Sequence, residues 1–526
     1  MTGTLYNIAM ETVRFLELFS GIGGMKYAFF YALRTHFNHL VPHTQDSTNF
    51  CHSCPSFRSF CDGDGFRSVD ELSQSAEEDA GHKATHLHSM DELSFDYMSI
   101  DINNVTNEVL EYNIDSFGVE KKHKAISLDI NALDLGFFNE NGRFHVCAIS
   151  PPCQPYSRRS PSELSLQGGG SLDVCGEFMD ESTHSLGTRD DLKTSTTQGT
   201  AQENENSSSE PTAKCTEMGT AEGICERIKE IESAPNFDGR RAPILRITRL
   251  ILSTDPEKLP LYIFLENIKE FYHSVDYRIF IAALRIRGYK VLSFKLSTLQ
   301  FGFPNERTRL YITAKLDGFP EYLRHYGPLD LITELPNSFY ERYGVRKEAL
   351  VKAPILEFLN EENDAHDSIF NIPESILACR KSLSFDIVYK DPTYKGRSYT
   401  MCFTKNYGRF INGTGSVWCF GGPDPESYKD DNRLENLAVY SNSIRYFSPK
   451  EVARLMGFRV DEQKFAFVPF LTSLDCACTN GDKDGYTSLK FPRNLSNKQL
   501  YGLLGNSLNP QVVATLFLAT GLFNVL

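Results

Sequence analysis

Cys153 lies in the segment AISPPCQPYSRRS, framed by prolines at 151, 152 and 155. Prolines on both sides keep a regular strand or helix from running through the cysteine, so its thiol is presented on a stiff loop. Such a loop suits a nucleophile, provided that nearby positive charge or hydrogen-bond donors favour the thiolate. Glu266 and Asn267 close the apolar run of IFLENIKEF. A carboxyl there serves as a general acid, anchors a substrate amide edge, or caps the next helix. Arg307 and Arg309 stand two apart in QFGFPNERTRLYITAK, just before or within a strand and therefore on one face. They hold phosphate or carboxylate, or are ordinary surface charge.

Two further features suit a nucleotide-like cofactor. FSGIGG, Phe19 to Gly24, leaves an apolar run and enters a helical pattern, giving a turn whose backbone approaches a ligand closely, or else a tight packing turn. Asp101, near the end of YMSIDI, is placed to accept both ribose hydroxyls of an adenosine, or to cap a helix. Near the end of the chain, Asn506 and Ser507 precede an apolar helical pattern and by themselves read as a helix cap.

The elements that must position these residues alternate. Strand patterns at 12–19, 97–102, 125–130, 144–150, 261–267, 289–296 and 309–315 interleave with helical patterns at 25–37, 104–112, 243–252 and 277–287. That order predicts an α/β fold with a doubly wound, mostly parallel sheet, Rossmann-like, whose ligands bind beyond the carboxyl ends of the strands. The residues named above fall at those ends.

The 526 residues are 41% apolar and 23% charged, which excludes a wholly disordered or collagen-like chain. No uncharged apolar run reaches the roughly 18 residues of a membrane span, and the N-terminus lacks the basic region of a secretory signal. Thirteen cysteines without such a signal fit a reducing compartment, so an intracellular, cytoplasmic and also nuclear location is expected.

The formal charge of −14 is concentrated in two stretches. Residues 43–95 carry a net of −7 and residues 163–238 a net of −11, which leaves the remainder at +4. Both lack apolar periodicity and are expected to be disordered inserts, bounded at 43–95 and 158–240, although Ile224, Ile228 and Ile231 fit a short helix. The first insert holds Cys51, Cys54 and Cys61 with His52, His82, His86 and His88. C-x2-C is a zinc half-site spacing, but the remainder is irregular and no metal is expected.

Taken in order, FSGIGG, the acid after the second strand, SPPCQPYSR, FLENIKEF, PNERTR and GNSLNPQVV resemble the motif set of cytosine-5 nucleic-acid methyltransferases. CFTKNYGRFINGTGSVW, Cys402 to Trp418, is similar to the segment that marks the eukaryotic tRNA-aspartate cytosine-5 methyltransferase family. The resemblance implies methyl transfer from S-adenosylmethionine to C5 of an anticodon-loop cytosine, position 38 of the tRNA-aspartate type, through a Cys153 adduct at C6. Glu266 would hold the N3 and N4 edge, with Arg309 and Arg307 positioning the base and the cysteine. It carries Phe19, Gly21, Ile22, Gly23 and Gly24 to the methionine end of the cofactor, Asp101 and Ile102 to the ribose, and Asp129 and Ile130 to the adenine. Pro152, Asn506 and Ser507 would complete that pocket. Cys402, Phe403, Thr404, Lys405, Tyr407 and Arg409 are expected to meet the substrate, and Lys405, Tyr407, Arg409 and Phe410 have the basic and aromatic chemistry for RNA.

The expected partner is therefore a tRNA anticodon stem-loop, met by a monomer, with DNA methylation as the alternative of the same chemistry and a silent RNA-binding homologue as that of another class. The expected organisation is a catalytic domain from 1–325 and 441–526, with a target-recognition domain at 326–440. The second insert enters beside the cysteine loop, where it would impede or regulate the site.

Overall fold

The computed structural model describes residues 12–40, 94–113, 121–157, 219–343, 347, 350, 352–360, 368–375, 387–390, 397–409, 413–421, 443–460 and 488–524. The Cys and His residues of the first acidic stretch, and Phe410, lie outside them. Among the described residues no group of His, Cys, Asp or Glu is placed to hold a metal ion, and no helix is long and apolar enough to cross a membrane.

Strand β1 (Thr12–Leu18) leads through the glycine turn into α1 (Gly24–Leu40). Then come β2 (Ser94–Asp101), α2 (Asn104–Tyr112), β3 (Lys121–Ser127), the short α3 (Phe137–Asn141) and β4 (Val146–Ile149). After Gly219 follow α4 (Ala221–Glu232), α5 (Ala242–Ser253), β5 (Tyr262–Ile268), α6 (Val275–Ile286), β6 (Lys290–Ser297) and β7 (Thr308–Lys315). The sheet is eight-stranded, in the order β3-β2-β1-β4-β5-β7-β6-β8, with β8 (Leu331–Ile332) at one edge. The chain order reverses between β2-β1 and β4, which opens a crevice at the strand ends there.

The sheet is parallel through β3, β2, β1, β4 and β5, as the alternation of elements predicts. β7 is the exception and runs antiparallel to both β5 and β6. Its first residues therefore lie beside the last residues of β5, with Ile268 opposite Arg309 and Glu266 opposite Tyr311. Because side chains alternate along a strand, Glu266, Arg309 and Tyr311 share one face.

Apolar residues cover both faces of the sheet. Phe15, Phe95 and Phe264 pack with α1 residues such as Phe29, and with Phe517 from a C-terminal helix. Leu16, Ile149, Ile263 and Leu265 pack on the other face with Ile247 and Phe280 of α5 and α6. Burial on both faces explains why these strands read as continuous apolar runs.

The stretch expected to lack structure up to 240 is folded from Gly219 onward. Thr220 caps α4, and Ile224 and Ile228 are fully buried, so the isoleucine spacing prevails over the polar composition around it.

In the C-terminal half, α7 (Asn337–Arg342) precedes a small sheet of β9 (Ile387–Tyr389), β10 (Val417–Cys419) and β11 (Ile444–Arg445). Its third strand lies just beyond the boundary expected at 440. Arg445 makes two 2.8 Å hydrogen bonds to the carboxylate of Glu451 in α8 (Pro449–Leu455), both residues being buried. Finally, α9 (Asn497–Gly505) and α10 (Pro510–Ala519) return to the large sheet, and Leu508 between them packs against Gly24 at the start of α1.

Candidate active site

The site collects at one edge of the sheet. Ser20 and Gly21 follow β1, Asp101 ends β2, Cys153 follows β4, and Glu266 and Asn267 lie near the end of β5. Arg307 and Arg309 come from the start of β7, which its antiparallel course brings to the same edge. Five separate segments thus supply one crevice.

Cys153 is partly buried and begins the 3-10 turn Gln154–Tyr156. Asn267 Nδ2 donates to Pro151 O at 3.4 Å, tying the cysteine loop to β5. Burial pushes the Cys153 thiol up, and the charge of Glu266 adds to that, while Arg309 and Arg307 oppose it. The expectation that positive charge favours the thiolate is met in direction but outweighed, so the net shift is upward.

Glu266 is 9% exposed and accepts an ion pair from Arg309 Nε at 3.2 Å. Burial pushes its carboxyl above the ordinary carboxylate range despite both arginines. A buried carboxyl of that kind is fitted to deliver a proton.

Arg307 is 3% exposed, and its guanidinium joins three segments. It donates to Cys402 Sγ at 3.2 Å, to Phe403 O at 3.4 Å and to Ser507 O. Arg309 Nη2 also reaches Cys402 Sγ, at 3.5 Å. Burial alone would raise the Cys402 thiol, but the two guanidiniums more than reverse this and lower it. The arginines are therefore neither surface charge nor a bare phosphate clamp.

The glycine turn has the form that a ligand requires. Phe19 holds a positive φ of 58°, a strained conformation for a non-glycine residue. Gly21 has φ 51°, and a Cβ built on it would meet nothing within 4 Å, so its backbone faces open space. Asp101 accepts from Gly21 N at 2.9 Å and from Asn103 N at 2.8 Å, leaving carboxylate lone pairs for further donors. Ile102 beside it is 69% exposed, an apolar side chain suited to packing on a flat ring. Ser20 Oγ and Ser150 Oγ, on the ends of neighbouring β1 and β4, are buried without a hydrogen-bond partner among the described residues. This combination fits an adenosyl cofactor.

Some expected contacts fall elsewhere. The Ile130 side chain is buried in the core, not open to the crevice, while exposed Asp129 caps the turn that follows it by accepting from Asn131 N. Ile22 and Gly23 are likewise enclosed, so Ile22 offers the crevice no side chain. Phe403 and Tyr407 were expected to meet RNA, but both are core residues. Tyr407 is 2% exposed, donates to Ser416 O at 2.7 Å and accepts from Phe447 N at 2.9 Å. An aromatic hydroxyl finds its partners when buried, and here they are all protein. Lys405 and Arg409 remain exposed, Cys402 lies on the arginines, and Thr404 N is tied to Thr414 O. Pro152 is partly buried, Asn506 is exposed, and Ser507 reaches the site through its carbonyl.

Among the described glycines, Gly505 is the one that another segment's backbone approaches most closely. A Cβ there would come within 2.2 Å of Thr404 C and Lys405 N, so the Thr404 backbone rests directly on the end of α9. Only glycine fits.

Glu17 escaped the sequence reading. This buried acid accepts from Met25 N at 3.2 Å and from Tyr97 Oη at 2.6 Å, securing the start of α1 behind the glycine turn. Burial raises its pKa to about 7. A carboxylate inside the apolar strand FLELF was the signal available.

The profile described as C-5 cytosine-specific DNA methylase matches residues 237–520. A Bos taurus protein named tRNA (cytosine(38)-C(5))-methyltransferase is 25% identical over 475 residues, covering 80% of this chain and 90% of its own. One of the same name from Schizosaccharomyces pombe is 30% identical over 281 residues, covering 53% of this chain and 69% of its own. The solved structure of the Entamoeba histolytica methyltransferase EhMeth shares the fold, with a TM-score of 0.51 at 19% identity over 98% of each chain.

Proposed function

This chain belongs to the C-5 cytosine-specific DNA methylase family, and on that premise we propose that it methylates C5 of a tRNA anticodon-loop cytosine, position 38 in the relatives' names. The observation that carries the reaction is the meeting of Cys153, Glu266 and Arg309 at one sheet edge, beside a glycine turn and Asp101. The tRNA substrate is supported by the relatives' names and by the CFT segment, which rests on the catalytic arginines through Cys402.

S-adenosylmethionine supplies an electrophilic methyl group. The backbone at Gly21 would hold its methionine end, and Asp101 and Ile102 its adenosine. The cytosine must leave its stack to be reached, which is easier from a loop than from a duplex. Cys153 Sγ, its proton released to solvent, bonds to C6 and opens the C5–C6 double bond. Glu266 donates its proton to ring N3 and accepts from the N4 amino group, so electron density gathers at C5, which takes the methyl group as the bond from that methyl to the donor sulfur breaks and the sulfur leaves as a neutral thioether. Arg309 holds Glu266 in place at 3.2 Å and keeps positive charge beside the sulfur. Solvent water then removes the C5 proton, the Cys153–C6 bond breaks, the double bond re-forms, and N3 returns its proton to Glu266.

Incubation with methyl-labelled S-adenosylmethionine and either tRNA or duplex DNA, followed by mapping of the modified base, tests this reading. Label is expected at an anticodon-loop cytosine and is expected to vanish with Cys153→Ala. Label in DNA but not in tRNA would overturn the substrate, and label in neither would overturn the activity.

A further inference from the structure

The chemistry above needs the Cys153 sulfur and the Glu266 carboxyl at a defined separation, yet they come from different strands. β4 and β5 pair as far as Ile149 and Leu265, and Cys153 lies four residues beyond the last paired residue. Something past the sheet must hold that loop.

Asp276, in the first turn of α6, has a side chain that is 0% exposed. Its carboxylate accepts three short hydrogen bonds. Tyr156 Oη donates at 2.6 Å, and Arg241 donates through Nε at 2.9 Å and Nη2 at 2.7 Å. Tyr156 ends the 3-10 turn that Cys153 begins, and its backbone N–H donates to Cys153 O at 3.0 Å. The Tyr156 ring also meets Phe271 edge-on, with centroids 4.8 Å apart, and Phe271 lies five residues after Glu266. The turn carrying the nucleophile is thus fastened, by one hydroxyl and one ring, to the segment that leaves the strand carrying the acid.

We propose that Asp276 is a positioning residue for methyl transfer, setting the place of the Cys153 sulfur relative to Glu266 through Tyr156, with Arg241 holding the Asp276 carboxylate in register. The proposal rests on the reading of Cys153 as the nucleophile. An acid near a helix N-terminus also favours the helix itself. That role does not require a tyrosine hydroxyl from the nucleophile's own turn. Arg241 and Tyr156 compete for no lone pair, since a carboxylate offers about four acceptor positions. Misplacement of a reacting group by roughly 1 Å costs on the order of a hundredfold in rate. Loss of the hydroxyl alone is therefore expected to be visible in turnover.

The test uses the full chain with Tyr156→Phe, which removes one oxygen and keeps the ring on Phe271, and with Asp276→Asn and Asp276→Ala. For Tyr156→Phe, kcat for methyl transfer is expected to fall roughly tenfold or more, with KM for S-adenosylmethionine and RNA and the melting temperature unchanged. Asp276→Asn keeps an acceptor for the tyrosine and is expected to retain more activity than Asp276→Ala. Alkylation by iodoacetamide, followed residue by residue by mass spectrometry, needs no nucleic acid and remains informative if the tRNA reading fails. Tyr156→Phe is expected to speed modification of Cys153 several-fold while buried Cys147 stays protected. A wild-type kcat in Tyr156→Phe, unchanged Cys153 alkylation, or Cys153 and Cys147 becoming reactive together would each overturn the proposal.

Discussion

Arg307 and Cys402, 95 residues apart in sequence, meet with guanidinium Nη1 3.2 Å from Sγ. The sulfur also receives Arg309 Nη2 and donates to Phe403 O at 3.6 Å. The residue that begins the CFT segment is therefore built into the arginine pair of the large sheet. The CFT segment and the start of β7 thus share their hydrogen bonds.

Arg307→Ala is expected to remove that junction and leave Phe403 O and Ser507 O without their donor. A buried unsatisfied acceptor costs about 1–3 kcal/mol, so the variant should lose several degrees in melting temperature as well as most of its turnover. Arg307→Lys keeps the charge but not the fork. Thermal unfolding with steady-state methyl transfer measures both, and an Arg307→Ala variant of wild-type stability would refute the junction.

The pH dependence of Cys153 should betray Glu266. Burial and the Glu266 charge raise the thiol, so alkylation of Cys153 in the free protein is expected to climb with pH and level off above the ordinary thiol range of about 8.5. Glu266→Gln removes the negative charge and leaves Arg309 to act on the sulfur. Its inflection should move to lower pH. A shift upward, or none, would show that the carboxylate does not act on this sulfur.

Glu17 should make stability depend on pH with the opposite sign to an ordinary surface carboxylate. Its folded pKa of about 7 lies above the ordinary 4.5, so the folded state binds the proton more tightly. The associated stability is fully present below about pH 4.5 and is lost as pH rises through about 7, a difference of about 3 kcal/mol. Lys26, beside the carboxylate, moderates the loss. Glu17→Gln keeps an acceptor and removes the titration. Melting temperatures from pH 5 to 8 should fall more steeply with pH in the wild-type protein than in the variant, and parallel curves would count against this assignment.

The alternation of strands and helices, the glycine turn, the acid at the end of β2 and the proline-framed cysteine were legible in the residues themselves. Each is local: apolar periodicity, turn residues and proline restrict the backbone over a few positions. Even the isoleucine spacing at 224–231 foretold a helix within an acidic stretch. What locality cannot supply is which strand lies beside which, and in what direction. The antiparallel course of β7 alone puts Arg309 against Glu266. Burial is decided in the same way. Phe403, Tyr407 and Ile130 have side chains fit for a ligand, yet they pack against partners that arrive from elsewhere in the chain. The close rest of the Thr404 backbone on Gly505 likewise joins segments about 100 residues apart. Nothing in the sequence marks Asp276, whose partners Tyr156 and Arg241 come from 120 and 35 residues away. Residue type limits what a side chain can do, and long-range packing chooses among those roles, because only the folded chain sets which groups lose water together.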